Sequence, residues 1–300
     1  MASRRPHRTL TSNPEALPLP RRVSVAAIAD KVAELLMEAN YDIGDELLGA
    51  LRKARQVEAS ELGCQVLDEL VLNYELARAE RVPACQDTGV PVVFLDIGQD
   101  VHLVGGDLEA AVQEGIRRGS REGYLRNSIV ADPLWERRNT GDNTPGVVHV
   151  RIVPGDRVHL TVASKGFGSE NKSRLAILLP GEGVEGVKRF VLETVSLAGA
   201  QACPPFVVGV GVGGTFELAA LLAKRAVVRP LGRQHPDERV RRLEADLLAE
   251  INRLGIGPQG FGGVTTALAV HVETYPTHIA SLPVAVNVGC HSNRHKEAVI

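Results

Sequence analysis

The order of amphipathic helical segments and short strand-like segments constrains the fold of this chain more than any other feature. Residues 24 to about 80 read as successive helices, because VSVAAIADKVAELLMEAN places apolar side chains at positions 25, 28, 32, 35 and 36. Pro83 ends this helical run, residues 92–97 read as a strand, and Asp107 is placed to cap the next helix. We predict the α/β class (mixed α+β), with a helical N-terminal region followed by a mixed sheet packed by helices.

The second half of the chain continues this mixture. VVHVRIV at 147–153 and RVHLTVA at 157–163 are separated by PGD, a pattern that predicts a β-hairpin. FVVGVGV, TTALAVHVE and PVAVNVG read as further strands, and helices are predicted at 184–199, 215–226 and 236–255. The polar loop at 132–146 is longer than a simple connection needs, and loops of that length are often functional.

Length and charge limit the class of protein. We expect residues 1–23 to form a flexible tail and residues 24–300 to form one large domain or two lobes. Only 4% of the residues are aromatic, so the core must be built from Ala, Val, Leu and Ile. A net charge of −2 without a long basic run argues against nucleic acid as the main partner.

The sequence also indicates a compartment. No run of 18 or more apolar residues is present, so we expect no membrane span. The segment MASRRPHRTLTSNPEALPLPRR lacks the apolar stretch of a secretory signal, which favours a cytoplasmic protein with reduced thiols. Its Arg, Ser and Thr content is also found in transit peptides, but we interpret it as a disordered tail.

The four cysteines occur in two kinds of setting. Cys64 lies in the middle of a predicted helix among apolar neighbours, which is typical of a buried, inert thiol. Cys85, Cys203 and Cys290 each lie at the end of a predicted element and near Pro or Gly. Each of the three is compatible with a small core residue, but their shared setting favours a common role as metal ligands.

Two kinds of metal centre take three widely separated thiolates. Zinc would need a fourth ligand such as His278 or His291, and structural zinc sites usually contain a CxxC pair, which this chain lacks. A 4Fe–4S cluster accepts ligands from distant loops, and with three cysteines one iron has no protein ligand. That iron can bind a carboxylate and a hydroxyl group of a substrate as a Lewis acid. The composition does not decide between the two metals.

Polar residues near these cysteines are candidates for catalysis or substrate binding. Asp87 follows Cys85 closely and His278 precedes Cys290, so both are candidate acid–base groups, although Asp87 could simply cap a turn. Arg126 and Lys165 are either solvated surface cations or ligands for the carboxylates of a dicarboxylate substrate.

A glycine-rich segment offers a rival interpretation. GVGVGG at 209–214 matches G-x-G-x-x-G between a strand and a helix, the pattern of NAD(P)-binding proteins. The next strand-like piece ends in Arg229 and Pro230 rather than in an acidic residue, and the motif occurs late in the chain. NAD(P) binding is therefore the weaker alternative.

Five ordered motifs resemble those of the class I iron–sulfur fumarate hydratases and L(+)-tartrate dehydratases. They are CQDTG at 85–89, NTGDNTP at 139–145, KGFGSEN at 165–171, CPPF with GVGVGGTFE at 203–217, and PTHIASLPVAVNVGC at 276–290. The resemblance extends from about residue 25 to the C-terminus and covers the cluster-bearing part of the family. Single-chain members carry a further β domain, so this chain resembles a separate alpha subunit.

The resemblance implies a cofactor, a reaction and a partner. It implies a 4Fe–4S cluster with one open iron, held at strand ends by Cys85, Cys203 and Cys290. It implies reversible hydration or dehydration of a small dicarboxylate, either fumarate/malate or tartrate/oxaloacetate, with a beta subunit completing the site in an α2β2 assembly. The residues expected to face the substrate are Gln86, Asp87, Arg126, Lys165, Gly166, Gly168 and His278, of which Asp87 and His278 would assist proton transfer. On the residues alone, a non-catalytic iron–sulfur or zinc protein remains the alternative.

Overall fold

A computed structural model of the protein describes residues 19–300, and within them helices and strands mix from end to end. The strands are β1 (Arg21–Ser24), β2 (Val90–Gly98), β3 (Val101–Val104), β4 (Val147–Val153), β5 (Val158–Lys165), β6 (Arg174–Leu178), β7 (Phe206–Gly213), β8 (Ala267–Tyr275), β9 (Leu282–Gly289) and β10 (His295–Val299). The helices are α1 (Val25–Tyr41), α2 (Asp45–Val57), α3 (Glu61–Glu80), α4 (Leu108–Glu122), α5 (Phe167–Glu170), α6 (Gly183–Ala198), α7 (Phe216–Val227) and α8 (Glu238–Arg253). The predicted α/β class is confirmed.

The N-terminal helices form as the apolar periodicity predicts. The apolar face of α1 that the sequence indicates is buried, and α1 packs against α4. The two helices can approach closely because Gly115 has no side chain. A Cβ at this position would lie only 2.5 Å from the carbonyl oxygen of Ala29. Asp107 caps α4 as predicted, since its carboxylate accepts a hydrogen bond of 2.7 Å from the Ala110 amide.

The structure bears on only part of two predictions, the flexible tail at residues 1–23 and the absence of a membrane-spanning segment. Residues 1–18 lie outside the described residues, and Arg21–Ser24 forms β1, which pairs in parallel with β3. Residues 21–23 of the predicted tail therefore belong to β1. Across residues 19–300, no helix combines the length and the apolar content that crossing a bilayer would require.

The strands form two mixed four-stranded sheets and a small two-stranded one, instead of the single sheet expected. The first large sheet has the order β10-β5-β2-β4, and the predicted hairpin of β4 and β5 is wrong. β2 lies between them, so that Val93 pairs with Val148 on one side and with Val162 on the other. β2 is the most continuously apolar of the three strands and takes the buried central position, whereas the exposed side chains of β4 suit an edge.

The second large sheet has the order β6-β9-β7-β8, with α6 and α8 covering one face. On the other face α7 lies almost in contact with the backbone of β7. A Cβ on Gly209 would lie 2.2 Å from the Ala223 carbonyl oxygen, and one on Gly211 would lie 2.1 Å from that of Ala219. These two glycines of GVGVGG therefore permit close packing of the helix on the strand.

The two large sheets are joined by a shared apolar cluster. Val92 and Phe94 on one face of β2 pack in the same cluster as Val207 and Ala269 of the second sheet, together with leucines of α2 and α3. Val93 and Leu95 face the other way and pack in the cluster formed with α1 and α4. β2 thus contributes to both cores through the alternation of its side chains.

The packing of α7 on β7 generates a stability prediction. We expect Gly211→Ala to lower the free energy of unfolding by about 1–3 kcal/mol, because the added methyl group meets helix backbone that cannot rotate away. Gly49→Ala is the matched control, since a Cβ there meets no atom within 4 Å in the middle of α2. That substitution should raise stability by about 1 kcal/mol through helix propensity. Denaturant midpoints compare the two, and equal effects would contradict the packing role.

Candidate functional site

Two of the three candidate cysteines are brought together by the pairing of β7 with β9. Cys203 precedes β7, Cys290 follows β9, and the strands are antiparallel, with Val207 opposite Gly289. The start of one strand therefore lies beside the end of the other. The amide of His291 donates a hydrogen bond of 3.1 Å to the carbonyl oxygen of Cys203, which fixes the two loops against each other.

Cys85 reaches the same place from the other sheet. It precedes β2, whose first residue, Val90, pairs with Lys165 at the end of β5. Burial raises the pKa of the Cys203 thiol, and Cys290, Cys85 and Asp87 raise it further as neighbouring acidic groups. The Cys203 thiol therefore lies within electrostatic range of the other two thiols, and their role as metal ligands stays a prediction.

The three thiols are free and half-buried. In the described part of the chain, no three or more His, Cys, Asp or Glu side chains are arranged to hold one metal ion. Thiolates of a polynuclear cluster bind different metal atoms and stand further apart than ligands of one ion. The choice between zinc and a cluster, which the sequence left open, stays a prediction at this point.

Cys64 lies away from these thiols. It occupies α3 as predicted, but it is half-buried rather than fully buried. Its Sγ donates to the carbonyl oxygen of Glu58 at 3.4 Å. This local contact gives Cys64 a structural setting of its own.

Asp87 is held in a turn that joins two of the motifs. Its Oδ1 accepts a hydrogen bond of 3.0 Å from the Gly89 amide, and its Oδ2 accepts one of 2.8 Å from the Phe167 amide. Gly89 has φ 78°, and a Cβ there would lie 2.7 Å from the Lys165 carbonyl, so only glycine fits. Gln86 lies exposed beside this turn.

Gly166 adjoins a gap between opposite charges. Its φ of −66° is open to any residue, so conformation does not require glycine there. A Cβ on Gly166 would lie 3.4 Å from Nη2 of Arg294 and 3.5 Å from Oδ2 of Asp87, with no nearer atom. The missing side chain therefore leaves room between a guanidinium and a carboxylate. Gly168 is exposed on the short helix α5 that follows.

Lys165 lies behind this gap. Its side chain is 6% exposed, and its Nζ donates to the Gly166 carbonyl at 3.0 Å and to Ser169 Oγ at 2.8 Å. Its ammonium also lies 3.4 Å from the carboxylate of Glu170, while burial lowers its pKa. These contacts fix the backbone of the loop from its inner side.

Arg126 and the long polar loop meet at the CQDTG turn. The Arg126 carbonyl accepts hydrogen bonds of 3.1 Å from both Thr88 Oγ1 and Asn143 Nδ2. Asn143 belongs to the NTGDNTP motif and is 1% exposed, which anchors the loop predicted to be functional. The Arg126 residue itself is exposed beside Asp87's turn.

His278 is not brought to this site within one chain. It lies ahead of the first residue of β9, whereas Cys290 lies after its last residue. Eight residues of β9 separate the two ends by about 27 Å. His278 instead lines an open cleft of about 450 Å³, in which Val184 and Ile279 are exposed.

Sequence reasoning missed a buried polar group behind the cysteines. Tyr74 Oη lies 2.5 Å from His291 Nδ1, and burial raises the pKa of Tyr74 and lowers that of His291 to about 4. Arg294 is 2% exposed and donates to Asn40 Oδ1 at 2.9 Å. The sequence signal for this group is the polar run HSNR directly after a buried strand. Polar residues in that position ordinarily begin a surface loop, so the sequence alone does not indicate that they are buried.

Exposed aromatic residues lie on the segments that form the site. Tyr124 is 89% exposed and Trp135 is 81% exposed on the chain around Arg126, and Phe167 and Phe261 are also exposed. Phe261 follows Gln259, whose amide donates to the Pro204 carbonyl. Exposed apolar groups around a polar site are typical of a surface that another protein covers.

The sequence is similar to known proteins over nearly its whole length. Residues 29–299 match the model of the fumarate hydratase (fumerase) family. The "Putative L(+)-tartrate dehydratase subunit alpha" of Methanocaldococcus jannaschii is 40% identical over 271 residues, covering 89% of this chain and 95% of that protein. The L(+)-tartrate dehydratase subunit alpha of Escherichia coli K12 is 32% identical over 276 residues, 91% of each chain.

Proposed function

This chain belongs to the fumarate hydratase family, and from that premise we propose that it is the alpha subunit of a 4Fe–4S hydro-lyase. The reaction is the reversible addition or removal of water on a small dicarboxylate. The observation that carries the proposal is the meeting of Cys85, Cys203 and Cys290 beside the Asp87 turn, although the three come from two sheets.

The substrate class follows from the charges at the site and from the relatives. Arg126 is an exposed cation near the Asp87 turn, and its guanidinium suits one carboxylate of a dicarboxylate. Fumarate/malate and tartrate/oxaloacetate both fit this chemistry. The relatives are named for L(+)-tartrate, which favours tartrate as the substrate here.

The residues fit an iron–sulfur cluster. Three unpaired cysteines provide the thiolates, and the buried guanidinium of Arg294 lies nearby with its Nε lacking a hydrogen-bond partner among the described residues. Cys85, Cys203 and Cys290 would hold the cluster. When bound, the cluster supplies an iron without a protein ligand, which acts as a Lewis acid on the C–O bond or on water.

The chain's own residues bind and orient the substrate around that position. Two backbone amides hold the Asp87 carboxylate toward the Gly166 gap, where it can exchange a proton with the substrate hydroxyl group. Gln86 and Arg126 would bind substrate oxygens, and Gly166 and Gly168 leave the backbone open to it. Lys165 acts indirectly, because its buried ammonium holds the loop that carries both glycines.

A second subunit would complete the site. The relatives are named as alpha subunits, and the exposed rings of Tyr124, Trp135, Phe167 and Phe261 offer a surface for such a partner. Gln86 and Arg126 are exposed in this chain alone, so the reaction would lack protection from water. We therefore assign the base that removes the carbon-bound proton to a beta subunit, in an α2β2 assembly.

His278 cannot act in the active site of its own chain in the proposed enzyme. The length of β9 keeps it from the cysteines of its own chain, so a catalytic His278 must act at the site of a second alpha chain. Its exposure and the exposed Ile279 next to it are compatible with such a contact.

Replacing the cysteines one at a time tests the cofactor. Cys85→Ser, Cys203→Ser and Cys290→Ser should each abolish the visible absorbance of the anaerobically reconstituted chain and its content of about four irons per cluster. Cys64→Ser should retain both, because the described hydrogen bond of its Sγ goes to the nearby Glu58 carbonyl oxygen. Equal loss in the Cys64 variant, or stoichiometric zinc in a colourless wild-type chain, would refute the ligand assignment.

Gly166→Ala tests the gap between Asp87 and Arg294. Its methyl group makes only ordinary contacts, so the fold and the cluster content should be unchanged. It would occupy space that the substrate needs, and we expect kcat/KM to fall by at least about tenfold, a loss of about 1.4 kcal/mol of transition-state binding. Steady-state assays of the assembled enzyme on malate and both tartrate enantiomers measure this. Gly181→Ala, with no atom near its Cβ, is the control.

Mixed assemblies test the contribution of His278 from a second chain. Asp87→Asn and His278→Ala should each inactivate the enzyme when present in both alpha chains. In an assembly with one chain of each kind, one site contains both defects and the other contains neither, so activity should return. Co-expression with two affinity tags isolates that assembly. Activity no higher than that of either single variant would place both residues in one chain's site.

A further inference from the structure

Arg294 is a buried cation that has no carboxylate within salt-bridge distance among residues 19–300; the carboxylate of Asp87 lies across the Gly166 gap. Its side chain is 2% exposed, and its Nε has no hydrogen-bond partner within residues 19–300. Its described side-chain hydrogen bond goes to the neutral amide oxygen of Asn40. A guanidinium cannot neutralise itself by losing a proton, so its burial requires a negative charge nearby.

Other cations in the interior of this chain are paired with carboxylates, as buried charges usually are. Arg229 is 8% exposed, and its guanidinium lies 2.5 Å from Glu244 and 3.0 Å from Glu273. Lys165 and Lys224 share the carboxylate of Glu170, at 3.4 Å and 2.5 Å. Arg294 is an exception to this pairing in the part of the chain that the structure describes.

The guanidinium of Arg294 is fixed toward the cysteine site. Asn40 holds Nη1, and Asn40 itself donates to Leu36 and Ser164, so the anchor is rigid. Nη2 lies on the Gly166 side, and Arg294 lines the same small cavity as Cys290.

We propose that Arg294 is the counter-charge of the cluster, a positioning residue that balances the negative charge of the three thiolates. The proposal rests on the proposed function, because it requires a cluster on Cys85, Cys203 and Cys290. The thiolate form is the one that binds metal, so loading the site adds negative charge where Arg294 is buried. Electrostatic attraction then stabilises the loaded state and leaves the cluster-free state with an unpaired cation.

Arg294→Met should therefore have opposite effects on the two states of the protein. Without the cluster, the variant removes an uncompensated buried charge, so the unfolding midpoint should stay unchanged or rise. With the cluster, it removes a stabilising cation, so the midpoint should fall and iron should be released to a chelator at least about tenfold faster. The reduction potential of the cluster should become more negative, because the reduced state gains most from a nearby positive charge.

The experiment uses the reconstituted assembly with its partner subunit and compares each protein with and without the cluster. Arg229→Met is the matched control, since this buried arginine has two carboxylate partners, Glu244 and Glu273. Glu273 lies six residues along β8 from Ala267, the residue that pairs near Cys203 at the start of β7. It should lower both midpoints equally and leave the chelator rate unchanged. Arg294→Lys keeps the charge and should retain most of the cluster-dependent stabilisation, which tests the idea if the methionine variant fails to fold.

The outcomes separate this inference from the proposed function. A wild-type chain that takes up no cluster would overturn the proposed function and this inference with it. A cluster that binds normally, with Arg294→Met destabilising the loaded and cluster-free forms to the same extent, would overturn only the counter-charge role. An unchanged reduction potential in Arg294→Met would have the same meaning.

Discussion

The antiparallel register of β7 and β9 is the constraint on which the site depends. Because Val207 lies opposite Gly289, the residues that flank the two strands share one edge of the sheet. A slip of one residue would turn every side chain of a strand to the opposite face and separate the loops. The β7 backbone is held against α7 by Gly209 and Gly211, so the same close packing that stabilises the second core also fixes Cys203 beside Cys290.

The sequence predicted the local features of the fold correctly, but it did not predict the features that depend on the order of strands in the sheets. The buried face of α1 and the Asp107 cap follow from periodicity and capping chemistry, which neighbouring residues decide. The β4–β5 hairpin failed because the more apolar β2 competes for the position between them, and β10 was missed because its short polar sequence has little strand character. The short sequence distance between His278 and Cys290 led us to expect them at one site. The extended strand β9 lies between them and holds its two ends far apart.

The charged groups of the site are arranged in layers behind a solvent-facing turn. Asp87 is fixed by backbone amides at the front, Lys165 holds the loop from within, and Arg294 lies deepest with only an amide for support. Sequence motifs found the first two because they adjoin the loop glycines. Arg294 could not be found in this way, because its lack of a carboxylate partner among residues 19–300 follows from the fold and cannot be read from the sequence.

The exposed rings of Tyr124, Trp135, Phe167 and Phe261 have a consequence for biosynthesis. In the proposed assembly a beta subunit covers these rings, so a copy without that partner would present them to water and to other unassembled copies, which favours aggregation. The supply of the two polypeptides must then be balanced, since an excess of this one would burden chaperones and proteases.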